Sequence, residues 1–303
     1  MHWRPLSKAD LNECLGIEPA CIGDALVPRG RALQIWHELA TSPAFQGSVY
    51  ESGEGTSDHR IVGCGIGIFV DTEFVDRELA DPKPGLNSRV IASIAQGNSV
   101  VLNHAAMAEG NANAGLDFVN LYGTWRDDVL DANGRAEVQT LLGTSFLESL
   151  AGYRFNRIVK EAIGQPVIEL ARATGSYRVI AEFPDTASAL VAASPDSARE
   201  VPFSVAARMY RYTEPVLRLR PAEQSLLTAA LDGKTDAELS EHLGISVEAV
   251  KKRWLSVFGR FEESRSEILA GKDTERSHRG PQKRHRVLAY VRAHPEELRP
   301  YAW

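Results

Sequence analysis

Three cations stand in a row at Lys251, Lys252 and Arg253. At about 100° per residue, Val250, Trp254, Val257, Phe258 and Phe261 of the same segment gather on one side. Lys252, Leu255, Ser256 and Gly259 fall opposite, with Lys251 and Arg253 flanking them. A rod of this kind can neutralise phosphates at its edges and meet base edges with its centre. Other reactive side chains form looser patterns. Asp71, Glu73, Asp76, Glu78 and Asp81 make an acidic cluster that suits a metal ion, a basic ligand or a solvated loop. Asp127 and Asp128 follow Trp125-Arg126 at the end of an apolar run, where α/β sites are found. His59 and His104 lie near carboxylates without ligand spacing. There is no nucleophile-elbow GxSxG and no P-loop, so no catalytic residue is assigned. Cys14, Cys21 and Cys64 offer no CxxC or Cys/His spacing, which favours reduced, buried thiols over a metal site. Neither a metal nor a cofactor is expected.

The elements that must carry the cationic row are short and well punctuated. Pro221 suits the first position of a helix, and Leu219, Leu226, Leu227, Ala230 and Leu231 give it one apolar stripe. Asp232-Gly233 ends it. Thr235 to Glu238 reads as a capping box for a second helix with Leu239 and Leu243 inward, stopped by Gly244. Ser246 caps the third helix, with Glu248 near the positive end of its dipole.

This segment resembles the C-terminal helix-turn-helix of LuxR-type (GerE-like) regulators. The likeness runs through Leu219, Pro221, Glu223, Gly233, Glu238-Leu239, Leu243 to Ser246, and Val250-Lys251. Arg220, Ser240, Ala249 and Arg253 depart from the pattern. The resemblance implies that Lys251, Lys252 and Leu255 occupy base-contacting positions. It also implies a fourth helix, Ser264 to Ala270, used for dimerisation. The expected DNA contacts are therefore Lys251, Lys252, Arg253, Leu255 and Ser256, together with the cap residues Thr235 and Ser246.

Charge is unevenly placed along the 303 residues. Residues 1–215 hold 18 basic and 27 acidic side chains, and residues 216–303 hold 16 and 13. An acidic body with a mildly basic end fits a nucleic-acid reader carried by a sensor. No apolar run approaches the roughly 18–20 residues that span a bilayer. The first residues, MHWRPLSKADLNE, lack the apolar centre of a signal peptide. A soluble, cytoplasmic chain without a membrane partner is expected.

Residues 1–215 read as one mixed α/β domain. Expected strands are His2 to Leu6, Arg60 to Val70, Leu116 to Trp125, Phe155 to Val159 and Tyr177 to Phe183. Expected helices are Lys8 to Leu15, Asn87 to Ala95 and Ala136 to Leu150. The glycines of RIVGCGIGIFV suggest a bulge or a close backbone approach. The opening Trp3-Arg4-Pro5-Leu6 with Asp10-Leu11, and the strand Ile61 to Val70, resemble the first and fourth strands of the GNAT acetyltransferase superfamily. That resemblance implies a pyrophosphate loop, Arg/Gln-x-x-Gly-x-Gly/Ala, opening the helix after the fourth strand, where backbone N–H groups cradle phosphate. The chain has Pro84-Gly85-Leu86-Asn87 there. The near match Arg172-Ala-Thr-Gly175-Ser-Tyr177 comes late and ends in tyrosine. The fold is thus expected without its cofactor chemistry.

Ser194 to Pro202 reads as a polar loop, and Glu214-Pro215 to Arg220 as the domain boundary. Arg276 to Arg286 holds five cations and no acid, with Gly280-Pro281 breaking any helix before a final one, Val287 to Ala293. The expected organisation is an α/β sensor domain over 1–215, an all-α helix-turn-helix domain over 216–271 and a basic extension over 272–303. As a whole it reads as a dimeric transcriptional regulator. Its partners would be double-stranded DNA, a small molecule or protein signal, and a second copy of the chain. The competing reading is a GNAT-type N-acyltransferase with a DNA-binding appendage.

Overall fold

The computed structural model describes residues 1–17, 26–53, 60–175, 177–270 and 280–303. Cys21, His59, Ser176, Arg276 and Arg279 lie outside them. The chain divides into two units, residues 1–150 with 154–211, and residues 212–303 with 151–153.

The first unit is a seven-stranded mixed sheet with helices. Its strands are β1 (His2–Pro5), β2 (Phe45–Ser52), β3 (Arg60–Val70), β4 (Leu116–Trp125), β5 (Phe155–Ile163), β6 (Arg178–Phe183) and β7 (Ser188–Ala193). Their spatial order is β1-β2-β3-β4-β5-β7-β6. All neighbours are antiparallel except β4 and β5, which are parallel. Their parallel alignment requires a crossover, supplied by α6 (Ala132–Leu150). The remaining helices of this unit are α1 (Leu11–Ile17), α2 (Arg29–Leu39), α3 (Thr72–Ala80), α4 (Leu86–Ala95), α5 (His104–Ala112), α7 (Gln165–Thr174), α8 (Pro195–Glu200) and α9 (Val205–Met209).

The glycines of β3 explain how α6 meets the sheet. Gly63, Gly65 and Gly67 alternate along one face. A Cβ on Gly65 would sit 2.9 Å from Tyr50 Oη, and one on Gly67 would sit 2.1 Å from Phe118 Cζ. Neighbouring aromatic rings therefore lie across a strand stripped of side chains, and Tyr50 Oη meets Ser145 Oγ of α6 at 2.9 Å. The expected irregularity is present too. The β3–β4 register shifts between Ile66 and Gly67, leaving Leu121 as the extra residue on β4.

Several sequence expectations are corrected here. β2 and α2 were not anticipated, so the strand at Ile61 to Val70 is the third strand, and Leu116–Trp125 is the fourth. The expected strand at Tyr177 to Phe183 is present as the edge strand β6, but a further strand, β7, follows it in the chain and inserts between β5 and β6. The stretch from Ser194 is a helix, α8, whose cap Ser194 and Ser197 satisfy each other. Cys14 and Cys64 are buried thiols.

The second unit is all helical: α10 (Pro221–Ala230), α11 (Asp236–Leu243), α12 (Val247–Ser264), α13 (Ser266–Ala270) and α14 (Gly280–Ala293), then a 3₁₀ turn at Pro295–Leu298. Thr235 and Ser246 cap α11 and α12, and Gly244 closes α11 in the left-handed conformation. Leu226, Leu227, Val250, Trp254, Val257 and Phe261 share one core with Val287 and Val291 of α14. Gly280-Pro281 opens α14 and does not interrupt it, because a proline in the first turn costs no hydrogen bond. Cations of the basic extension that lie on this helix turn to neighbours within the unit. Arg284 pairs with both carboxylate oxygens of Asp236, at 2.8 and 3.0 Å, and lies over the Trp254 ring. Lys283 reaches Glu262 at 3.3 Å, and Arg286 donates to Leu269 O at 2.6 Å.

Candidate functional site

The most unusual feature of the sheet is where β4 and β5 part. They pair from Leu116 with Phe155 as far as Asn120 with Lys160, and no further, although both strands continue. The cause lies one residue on. The bulge at Leu121 adds twist to β4 and swings its second half away from β5. β5 keeps its other neighbour throughout, with Ile163 still paired to Ser188 of β7. The result is a V inside the sheet, bounded by Leu121–Trp125 and Glu161–Ile163.

One face of the V is held by the first turn of α4. Asn87 Nδ2 donates to Leu121 O at 2.6 Å. Glu161 Oε2 accepts from the backbone N–H groups of Gly85 and Leu86, both at 2.8 Å, and its Oε1 accepts from Ser188 Oγ at 2.7 Å. Gly85 has φ +82°, a conformation glycine adopts without a steric cost. The loop that had been compared with a pyrophosphate loop thus binds a carboxylate of its own chain.

Lys160 and Asn120 are register partners and point to the other face. Lys160 is half-buried, and its ammonium lies 4.8 Å from the centre of the Tyr177 ring. Burial lowers the pKa of this lysine below the usual range. Burial pushes the Tyr177 hydroxyl up to about 12. It raises Tyr210 as well, with the neighbouring Tyr177 adding to the effect. Tyr210 packs edge-on against Phe155 at 6.3 Å. The last residue of β5 to pair with β4 thus carries an amine that gives up its proton more easily than an exposed lysine, and it lies over a phenol that keeps its own.

Neither Lys160, Glu161 nor Tyr210 was singled out in the sequence. The available signal was Lys160 itself, a cation inside the otherwise apolar run Ile158, Val159 and Ala162. Arg157 is the contrasting case. It is fully engaged, by buried Asp117 at 2.7 Å and by Asp76 at 2.6 Å.

The fold that the sequence resembles would put a diphosphate at the start of the helix after the fourth strand, which is α6. The residues there do not fit one. Asp131 occupies the cap position and accepts from Gly134 N at 2.7 Å. Asp127 and Asp128 are exposed in the preceding turn. Two arginines, Arg126 and Arg135, flank them in the sequence. Arg126 donates to Ile61 O and lies near Glu13, and Arg135 donates to Leu130 O and lies 3.8 Å from Asp127. The N-terminal ammonium of Met1 is paired with Glu137 at 2.7 Å. This helix end already carries the negative charge that its dipole favours.

The acidic cluster after β3 is dispersed. Asp71 caps α3 by accepting from Phe74 N, Asp76 pairs with Arg157, Glu78 with Arg89, and Asp81 with Lys83. No group of metal-ligating side chains occurs among the described residues. Asp71, Glu73, Arg77, Ser93 and Asn98 line an open depression of about 460 Å³. The space between α6 and the glycines of β3 is about 30 Å³, room for a water molecule.

In the helical unit, the seven residues expected to contact DNA separate into two groups. Lys251, Lys252 and Leu255 are exposed, and Arg253 is half-buried. The hydroxyls of Thr235 and Ser246 are taken up by their helix caps. Ser256 Oγ donates to buried Glu223 at 2.5 Å.

No family model matches this chain, and no curated protein matches it. Solved structures do. The loading GNATL domain of CurA from Lyngbya majuscula matches at 10% identity over 64% of this chain and 96% of its own, with a TM-score of 0.39. A histone acetyltransferase HPA2 and related acetyltransferase from Corynebacterium glutamicum matches at 12% identity over 64% and 96%, with a TM-score of 0.36. An acetyltransferase from Thermus thermophilus matches at 11% identity over 64% and 97%, with a TM-score of 0.32. These likenesses are to GNAT acetyltransferase-like folds, and at such TM-scores they carry no argument about activity. The description of the chain as a LuxR-family transcription regulator is nevertheless corrected: the solved structures it resembles are acetyltransferase folds, and no family model of such a regulator matches it. No helix among the described residues is long and apolar enough to cross a membrane.

Proposed function

We propose that the α/β unit is an N-acyltransferase-type domain whose acyl donor, a thioester on an extended amide-bearing arm, lies in the V between β4 and β5. The observation that carries this reading is the end of β4–β5 pairing at Asn120 and Lys160. Beyond it, the two strands part and no longer pair with each other. Strands so parted suit a ligand that is itself an extended chain of amides and can stand in for the missing strand. In the transfer, the nitrogen of an acceptor amine attacks the thioester carbonyl, the C–N bond forms and the C–S bond breaks. Lys160 takes the proton that the amine loses, and the sulfur leaves as a thiolate, which becomes a thiol by taking a proton from solvent as Lys160 returns its own to solvent. A lysine whose pKa burial has lowered suits that task better than an exposed one.

The test is acyl transfer to a panel of amines, with Lys160→Met beside the unchanged protein. Methionine keeps an unbranched stem and removes the amine. The rate is expected to fall about 100-fold, the usual lower measure of a lost general base. The denaturation midpoint should change little. Equal rates in the two proteins, or no transfer from any acyl thioester by the unchanged protein, overturn the assignment.

A further inference from the structure

We infer that the donor arm bound in the V ends without a nucleotide diphosphate: the site takes a pantetheine-type thioester and discriminates against acyl-CoA. This rests on the V being the donor site, and it follows from what surrounds the start of α6. An arm lying along Leu121–Trp125 runs toward that helix, because Arg126 to Asp131 is the direct continuation of the strand. A diphosphate arriving there meets the cap carboxylate of Asp131 already bonded to Gly134 N, with Asp127 and Asp128 exposed in the same turn. Each of the two nearby arginines spends an N–H group on a backbone carbonyl. Arg126 donates to Ile61 O at 3.3 Å, and Arg135 donates to Leu130 O at 3.0 Å. Asp127 is itself held in place, accepting from the Trp125 indole N–H at 2.9 Å. Three carboxylates in one turn raise the cost of bringing an anion to the site. An arm with amides and no diphosphate meets the same strand edge without that penalty.

The experiment is equilibrium binding to the full chain by calorimetry, using pantetheine and coenzyme A as probes at low and at moderate salt. A companion protein carries Asp127→Asn, Asp128→Asn and Asp131→Asn together. Asparagine keeps a side-chain oxygen for the α6 cap and for the Trp125 N–H, so the fold is retained. Pantetheine is expected to bind at least tenfold more tightly than coenzyme A at low salt. The gap should narrow with salt and close in the triple variant through tighter binding of coenzyme A. Coenzyme A binding as tightly as pantetheine in the unchanged protein overturns the inference and leaves the V as donor site. A gap that persists in the triple variant removes the carboxylates as its cause and overturns the inference on that ground. Failure of both probes to bind either protein overturns the donor-site reading, and the inference with it. A further pair of arms, free S-acetyl-pantetheine and the same group tethered to a peptide serine through a phosphodiester, tells a free donor from a carried one by which is consumed faster.

Discussion

Replacing Trp254 tests the core of the helical unit with the largest expected effect. Its ring is 2% exposed, stacks on Phe258 at 5.8 Å and lies under the Arg284 guanidinium at 4.9 Å. Truncation to alanine removes roughly 150 Å² of buried apolar surface, worth about 4 kcal/mol at ~25 cal/mol/Å². That falls within the ~3–5 kcal/mol usual for Trp→Ala in a core. Loss of the stacked cation adds about 0.5–1 kcal/mol. With a urea dependence of about 2 kcal/mol/M for a unit of this size, the midpoint of the helical transition should fall by roughly 2 M. Trp254→Phe should behave differently. The indole N–H is buried and finds no acceptor among the described residues. Removing it recovers part of the ~1–3 kcal/mol that an unpaired buried donor costs, so the phenylalanine variant should lose about 1 kcal/mol or less. Urea titrations followed by circular dichroism measure both. An unmoved midpoint for the alanine variant, or equal losses for the two variants, would refute this account of the core.

Two carboxylates should give opposite pH dependences. Hydrogen bonds from Arg4 hold Asp10 well below the usual range. Its contribution is therefore present above the unfolded value and is lost as pH falls through the acid range, and Asp10→Asn should flatten the acid limb of a stability profile. Glu297 is raised, chiefly by burial, although it accepts from the N–H groups of Val216 and Leu217. Its contribution is greatest below the unfolded value and declines as pH rises, so Glu297→Gln should gain on the unchanged protein above about pH 5, where an unfolded glutamate is ionised. A parallel pair of profiles in either comparison counts against the corresponding assignment. Gly67→Ala should cost about 1–3 kcal/mol, because its methyl group must displace the Phe118 ring, and a neutral melting temperature would contradict the close approach described for β3.

What could be read from the sequence was what is decided within a few residues. The caps at Thr235 and Ser246 and the stop at Gly244 depend on neighbours three or four positions away, and all three stand where expected. The apolar side of α12 was legible for the same reason. β2 was missed because FQGSVYES has too few apolar residues to look like a strand; its place beside β3 is supported by glycines on the facing strand and not by its own pattern. That omission moved the strand count by one and sent the search for a phosphate loop to Pro84–Asn87, when the helix after the fourth strand begins at Ala132. Lys160 was not legible as a site residue at all. Its setting is created by a bulge on another strand, forty residues earlier, and no local pattern encodes that.

The bare face of β3 has a consequence for how this protein can change. Gly65 and Tyr50 occupy what is in effect a single volume, as do Gly67 and Phe118. A methyl group gained at either glycine would be tolerated best when its aromatic neighbour shrinks at the same time, so each pair should be strongly non-additive when altered together. Across descendants of this chain, the two members of a pair should drift in step.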